Sequence, residues 1–267
     1  MKSNLLLPLF LFLVLLISSC VKWENPPTEG LILYLPFEGD LRDLSTNEND
    51  GIDYTSDNFV CGKWGKALDF NGTSDYIQLS ETINAEYGLS FSFWIKSRGP
   101  NGLENNGAIV SKYNMTAHRR SFMIFSFGAI ETRNDNRLSA NFYKFGNLTS
   151  INDHVKSYMD TEDLTKYENP ALWKLISRKR LELNKWTHCV INVTPEEIQA
   201  WINGEICVTK TREHDLYYNS QDEPVYIGNI PAGGEGSNNH FNGILDELRI
   251  YNRELSEREI QILYRNK

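Results

Sequence analysis

Two carboxylates stand side by side, Asp246-Glu247, inside the apolar run 244–251. Cleaving a glycosidic bond takes two carboxyl groups facing one another, about 5 Å apart in retaining enzymes and about 6.5–9.5 Å apart in inverting ones. Neighbours on a strand point to opposite faces, so Asp246 and Glu247 cannot serve one cleft. No alternating acidic triplet occurs in another strand-like run, although carboxylates distant in sequence can still meet in space. There is no G-x-S-x-G, H-E-x-x-H or P-loop, and the five histidines (His118, His154, His188, His214, His240) are scattered. Cys20, Cys61, Cys189 and Cys207 show no C-x-x-C spacing and no neighbouring histidine at ligand spacing, which argues against zinc.

Binding without bond cleavage needs other residues. Sugar rings present apolar C–H faces between hydroxyls, so an aromatic platform with polar neighbours suits them. By period two Trp201 shares a face with Gln199 and Asn203, and Trp94 lies beside Ser92 and Lys96. The same rings can equally pack under loops. Asp246 falls on one face with Ile244, Leu248 and Ile250, so a carboxylate interrupts an apolar stripe. A buried charge requires donors or a cation, otherwise its pKa rises. Turn amides near the first strand can supply the donors. Alternatively, Asp40 and Asp43, in the turn 37–45, can join Asp246 around a cation.

Short apolar runs alternating with turn clusters position these residues, the pattern of an all-β sandwich or barrel. Leu31, Leu33, Leu35 and Phe37 share one face; Phe91, Phe93 and Ile95 share another. Further strands are expected at 67–70, 76–79, 108–112, 121–127, 138–143, 186–193, 198–202, 205–209, 225–228 and 244–251. Asn71-Gly72 and Asn203-Gly204 suit tight reversals. The C-terminus changes period. Ser256 and Glu259 form a capping box, Leu255 and Ile260 a hydrophobic staple, and Ile260, Leu263 and Tyr264 an apolar stripe, so one short helix docks on the sandwich. The polar stretch 144–184 is long for a loop and reads as an insertion. Asn169-Pro170 predicts the start of a helix there, running through 171–176 and ending near Arg178-Lys179-Arg180.

The chain of 267 residues is 40% hydrophobic and 12% aromatic, ample for one such domain. Its net charge of −8 argues against a general nucleic-acid binder, which needs clustered cations, and against docking on anionic lipid by charge. Met1 to Asn4 gives a short positive start, and Leu5 to Ile17 runs without a polar residue. Thirteen residues span roughly 20 Å, short of the roughly 30 Å hydrocarbon core, so this is a signal-peptide core and not a spanning helix. Ile17-Ser18-Ser19-Cys20 resembles the bacterial lipobox, which implies cleavage before Cys20 and lipidation of that residue. The expected organisation is a signal peptide at 1–19, a Pro26-Pro27-containing tether at 20–29 and one domain at 30–267. The protein is then lipid-anchored in the bacterial cell envelope, at the outer membrane, on a face left open.

Six segments in order resemble the laminin-G-like jelly rolls of the concanavalin A-like lectin/glucanase superfamily. They are Gly30-Leu31-Ile32-Leu33-Tyr34-Leu35-Pro36-Phe37-Glu38-Gly39, Asp43-Leu44-Ser45, Ala67-Leu68-Asp69-Phe70-Asn71-Gly72, Phe91-Ser92-Phe93-Trp94-Ile95-Lys96, Trp201-Ile202-Asn203-Gly204-Glu205, and the run from Phe241 to Ser256. The resemblance implies two antiparallel sheets with first and last strands adjacent, a short C-terminal helix and a partly helical insertion. Hydrolases of that superfamily carry an E-x-D-x-E strand, which this chain lacks. Many of its jelly rolls hold calcium, which implies that ion for Asp40, Asp43 and Asp246. The fold hosts lectins, adhesion domains and hydrolases. The expected function is a non-catalytic carbohydrate-binding domain taking a glycan or glycoconjugate through Trp201, Gln199, Asn203 and Trp94. Two alternatives are an adhesion module meeting a protein partner at the insertion, and a glycoside hydrolase.

Overall fold

The structure, a computed structural model, describes residues 24–266 except 57, 84–87, 100–106, 115–118, 128–135, 144–171, 195, 212–222 and 231–238. In chain order its strands are β1 (Leu31–Leu35), β2 (Gly51–Tyr54), β3 (Phe59–Cys61), β4 (Lys66–Asn71), β5 (Tyr76–Leu79), β6 (Leu89–Ser97), β7 (Ala108–Asn114), β8 (Arg119–Phe127) and β9 (Arg137–Tyr143). There follow β10 (Leu172–Arg180), β11 (Thr187–Val193), β12 (Glu197–Ile202), β13 (Glu205–Thr211), β14 (Tyr226–Ile227), β15 (Asn242–Tyr251) and the helix α1 (Glu257–Arg265). Among the described residues they form two antiparallel sheets. Sheet A has the order β13-β12-β11-β6-β15-β4-β3 with β1 also on β15; sheet B has the order β10-β9-β8-β7-β14-β5-β2.

Period-two alternation builds the layer between them. Phe91, Phe93 and Ile95 of β6 and Cys189, Ile191 and Val193 of β11 meet Ile109, Val110, Phe122, Ile124, Leu138 and Phe142 of sheet B in one buried cluster. First and last strands adjoin as expected: β15 pairs β4 through 242–245 and β1 through 248–251. Leu33, Leu35 and Phe37 join the core. Leu31 does not, because an irregularity between Leu31 and Leu33 turns it to the other face, against Tyr251 and Leu255.

A second irregularity corrects the face assigned to Asp246. The register of β15 against β6 shifts between Asp246 and Arg249, and Glu247 takes a left-handed φ of 54°. This bulge changes the parity of the strand. Leu245, Leu248 and Ile250 face the core, while Asp246 lies on the outer face of sheet A, opposite Trp94. Asp246 therefore does not share a face with Leu248 and Ile250, and it does share the outer face with Glu247, contrary to strict alternation, because the bulge sets two successive residues on one side.

The segment expected to be helical beyond Asn169-Pro170 is also corrected. From Leu172 it is β10, paired antiparallel to β9 from Leu172↔Tyr143 to Ile176↔Ser139, with Leu175 and Ser177 buried and Arg178–Arg180 exposed. The open ladder of β9 offers more hydrogen bonds than a capped helix end, so tertiary context overrides the local signal. The remainder of the insertion, 144–171, lies outside the described residues.

The helix α1 forms as read. Ser256 accepts from the Glu259 amide, the Glu259 carboxylate accepts from the Ser256 amide at 2.8 Å, and Leu255, Ile260 and Leu263 pack on Val190, Trp201 and Tyr251 of sheet A. Gly204 makes this approach possible: at φ 76° it lies under the helix, where a Cβ would stand 2.9 Å from Tyr264. Ser256→Ala is expected to lower stability by about 1 kcal/mol through loss of the cap, read as a lower melting temperature with unchanged strand content.

Candidate functional site

Of the four residues expected to hold sugar, Trp94, Gln199 and Trp201 lie on the outer face of sheet A, which α1 covers, and Asn203 lies in the β12–β13 turn. Trp201 is 7% exposed; its indole N–H donates to Gln199 Oε1 at 2.8 Å, and its ring packs with Val190, Tyr251, Leu255 and Ile260. Trp94 is 3% exposed, edge-on to Trp64 at 5.2 Å and stacked on Tyr264 at 5.8 Å, with Lys63 Nζ 4.2 Å from its ring centre. Asn203 occupies the left-handed turn position at φ 54°, where its side-chain oxygen accepts from the His188 amide at 2.9 Å. Neither tryptophan presents an open ring, because the apolar stripe of α1 needs an apolar bed. A groove of about 840 Å³ remains beside the helix, lined by Gln199, Trp201, Glu205, Ile206, Glu254 and Gln261 among others.

The three proposed calcium ligands have separate tasks. Asp40 is half-buried and pairs with Arg42 at 2.7 Å, which holds its carboxyl below the ordinary value. Asp43 accepts from the amides of Tyr34, Ser45 and Asn49 and from the Ser45 hydroxyl, at 2.8–2.9 Å, and so shapes the turn after β1. Asp246 accepts from the Lys63 and Trp64 amides at 2.8 and 3.2 Å, so its donors come from the β3–β4 turn and not from the vicinity of β1. Gly62 allows that approach, since a Cβ there would stand 2.8 Å from the carboxylate. Among the described residues no three His, Cys, Asp or Glu come together in a metal-ligating group. The set Asp40, Asp43 and Asp246 therefore does not fit a shared calcium ion.

Around Asp246 the outer face of sheet A is a buried polar cluster. Asp246 Oδ1, Glu247 Oε1, Trp94 Nε1 and His188 Nδ1 are buried without a hydrogen-bond partner. Burial pushes the Asp246 pKa up to about 7. Burial, with Arg249 and Lys63 adding to it, holds His188 down at about 3, so its ring is neutral and shares a 3.0 Å hydrogen bond with Ser92. Glu247 pairs with Arg249 at 2.6 Å and accepts from the Tyr34 hydroxyl at 2.9 Å. Asp246 and Glu247 are both shut off from solvent. This cluster joins sheet, turn and helix; it does not face a substrate.

The outward face of sheet B differs. Strand register sets Asn141, Met123, Ser111, Tyr226, Gln78 and Ile52 in one row across six strands, while Ala140, Ile124, Val110, Ile227 and Ile77 alternate into the core. Directly paired residues point the same way, so this row shares the outer face. Tyr76 and Tyr54 form the adjacent pair, their rings 4.6 Å apart and nearly parallel, with Tyr226 6.2 Å and His240 6.5 Å from Tyr76. Tyr54 is 47% and Ile52 43% exposed. At the other end Asn141 Oδ1 and Ser139 Oγ are buried without a partner. Burial raises the pKa of Tyr76 and Tyr226, which keeps both as hydroxyl donors near neutral pH. Ser111, Met123 and Asn141 are buried, so the accessible part of the row is its β14-β5-β2 end, where Tyr226, Tyr76, Tyr54 and Gln78 can stack a ring and hydrogen-bond its hydroxyls. Sequence reading missed it. The available signal was a tyrosine beside a core residue on each of three short strands, but their adjacency is long-range.

A family model for the concanavalin A-like lectin/glucanases superfamily, of the laminin G type, matches residues 71–261. No curated protein matches the chain. Among solved structures it is similar to domain 4 of AbnA, a GH43 extracellular arabinanase from Geobacillus stearothermophilus, in complex with arabinotriose. The TM-score is 0.61 at 19% identity, covering 90% of this chain and 100% of that one. The binding domain of Paraclostridial Mosquitocidal Protein 1 gives 0.62 at 20% identity, over 88% of this chain and 52% of that one. The binding domain of botulinum neurotoxin DC in complex with SialylT gives 0.55 at 14%, over 89% and 51%. The chain spans about half the length of these two toxin domains. At such identities the likeness is one of fold.

Proposed function

The chain belongs to the concanavalin A-like lectin/glucanases superfamily, and from that premise we propose that it is a non-catalytic, lectin-like glycan-binding module. The observation that carries this reading is the β14-β5-β2 end of the outward row of sheet B, where Tyr54, Tyr76 and Tyr226 stand beside Gln78. Support comes from two structural neighbours of the same fold, one solved with arabinotriose and the other with SialylT. The burial of Asp246 and Glu247 supports a role without bond cleavage. In this reading residues 1–19 are a signal peptide, Cys20 carries the lipid, and residues 30–267 form the binding domain in the bacterial cell envelope, at the outer membrane.

Affinity electrophoresis through a panel of polysaccharides tests the module. Retardation is expected on at least one of them, with Tyr76→Ala weakening it roughly tenfold, about 1.4 kcal/mol. Unretarded migration on every polysaccharide overturns the glycan reading and turns attention to a protein partner. Release of reducing ends from the panel reinstates a hydrolase. The anchor is tested separately: palmitate labelling is expected in the wild type and lost in Cys20→Ala, and labelling that persists in that variant contradicts lipidation at Cys20.

A further inference from the structure

The stretch between the lipidation position and the first strand is not a free tether. Arg258 grips the Glu24 carboxylate with both Nη2 and Nε, at 2.8 and 3.2 Å, and Asn266 Nδ2 donates to the Glu24 carbonyl at 2.7 Å. The Tyr251 hydroxyl donates to the Pro27 carbonyl at 3.1 Å, and Arg253 Nε to the Glu29 carbonyl at 2.9 Å. These donors come from the end of β15 and from both ends of α1, more than 220 residues away in sequence. Residues 24–29 are thus strapped along the helix, on the outer face of sheet A.

Strapping shortens the reach of an anchor. Cys20 precedes Glu24 by four residues, and extended chain covers at most about 3.6 Å per residue, so roughly 14 Å separates the two at most. An unstrapped chain from Cys20 to Leu31 would reach roughly 40 Å and let the domain tumble. Cleavage before Cys20 removes Lys2 and leaves 26 Lys and Arg against 35 Asp and Glu, a net charge of −9, which gives no overall attraction to anionic lipid, so the strap is the source of orientation.

We infer that the strap and α1 hold the outer face of sheet A toward the phospholipid surface, so that the tyrosine row on sheet B points away from it. The inference rests on the lipidation of Cys20 proposed above. It adds a membrane-facing surface and a reason for the two faces of the sandwich to differ: one is sealed by helix and strap, the other leaves Tyr54 and Ile52 exposed.

The test uses the full, lipidated protein in phosphatidylethanolamine/phosphatidylglycerol vesicles carrying a headgroup energy acceptor. With Cys61→Ser removing the exposed native thiol, a donor dye is attached through Glu257→Cys on α1 or Ile52→Cys on sheet B. Transfer from position 257 is expected to exceed that from position 52 several-fold. Arg258→Ala with Asn266→Ala, which frees Glu24 and moves the first fixed point to Pro27, lengthening the free reach from roughly 14 to roughly 25 Å, is expected to reduce that difference while the protein stays on the vesicles. Equal transfer from the two positions in the strapped protein overturns the orientation. Absence of an acyl group on Cys20 by mass spectrometry instead overturns the anchor, and the inference with it, whatever the glycan experiments return.

Discussion

Arg249→Met is expected to destabilise the protein by about 3–5 kcal/mol, the cost of leaving a buried carboxylate without its cation. Arg249 is 4% and Glu247 1% exposed, and they pair at 2.6 Å. The Arg249 guanidinium also stacks 3.9 Å from the centre of the Tyr34 ring, whose hydroxyl donates to the same Glu247 oxygen. The other Glu247 oxygen has no partner, and the residue sits at φ 54°, so its surroundings have nothing in reserve. Urea unfolding monitored by tryptophan fluorescence measures the loss. Glu247→Gln combined with Arg249→Met is expected to recover most of it, because the unpaired charge is removed with its partner. A single variant as stable as wild type, or a double variant no better than the single, would show that the pair does not hold β15 to β1.

Asp246→Asn is expected to change how stability depends on pH more than any other substitution on this face. With a folded pKa of about 7 against about 3.9 unfolded, the native state keeps a proton that the unfolded chain releases, so this carboxyl makes stability fall as pH rises from about 4 to 7. His188 acts in the opposite sense. Held at about 3 in the fold, it is neutral where the unfolded ring is charged, so it makes stability rise from about pH 3 to 6.5. In the wild type the two slopes largely offset one another. Removing Asp246 exposes the His188 slope, and the difference in stability between variant and wild type grows by about 1.4 kcal/mol per pH unit across the window. Denaturation midpoints at pH 4, 5, 6 and 7 read this directly, and parallel profiles for the two proteins would defeat it. Glu259 is held down at about 2 mainly by its hydrogen bond to Arg253, so below about pH 4.5 a separate loss sets in as that carboxylate protonates.

The bulge at Glu247 explains why Asp246 was assigned to the core side. Strict alternation along 244–250 predicts one face for Ile244, Asp246, Leu248 and Ile250, and one left-handed residue halves that stripe. Nothing in Leu245-Asp246-Glu247-Leu248 marks the irregularity, since part of its cause is non-local: Glu247 is received by Tyr34 of the neighbouring β1 as well as by Arg249 of its own strand. The tryptophans are covered for a related reason. Trp94 and Trp201 do point away from the core as alternation requires, but α1 then covers them. β10 likewise owes its form to the free edge of β9 and not to its own residues.

What the residues determined alone is short-range. Period-two alternation specified two apolar layers, hence a sandwich, and Leu255, Ser256, Glu259 and Ile260 specified a capped and stapled helix. The opposite faces that alternation predicts for Asp246 and Glu247 are overturned by the bulge, which sets both on the outer face of sheet A, where burial shuts them off from solvent. The two readings that hold are local. Each depends on side chains within five positions of one another, where backbone geometry alone sets the relation. Tertiary structure decided that the outward face of sheet A is sealed by α1 and that the outward face of sheet B is exposed at its β2 edge. Tyr54, Tyr76 and Tyr226 become one surface only when β2, β5 and β14 adjoin, and Glu24 is bound only when the far end of the chain folds back over it. Such contacts reflect the burial of the whole molecule, which no local pattern encodes.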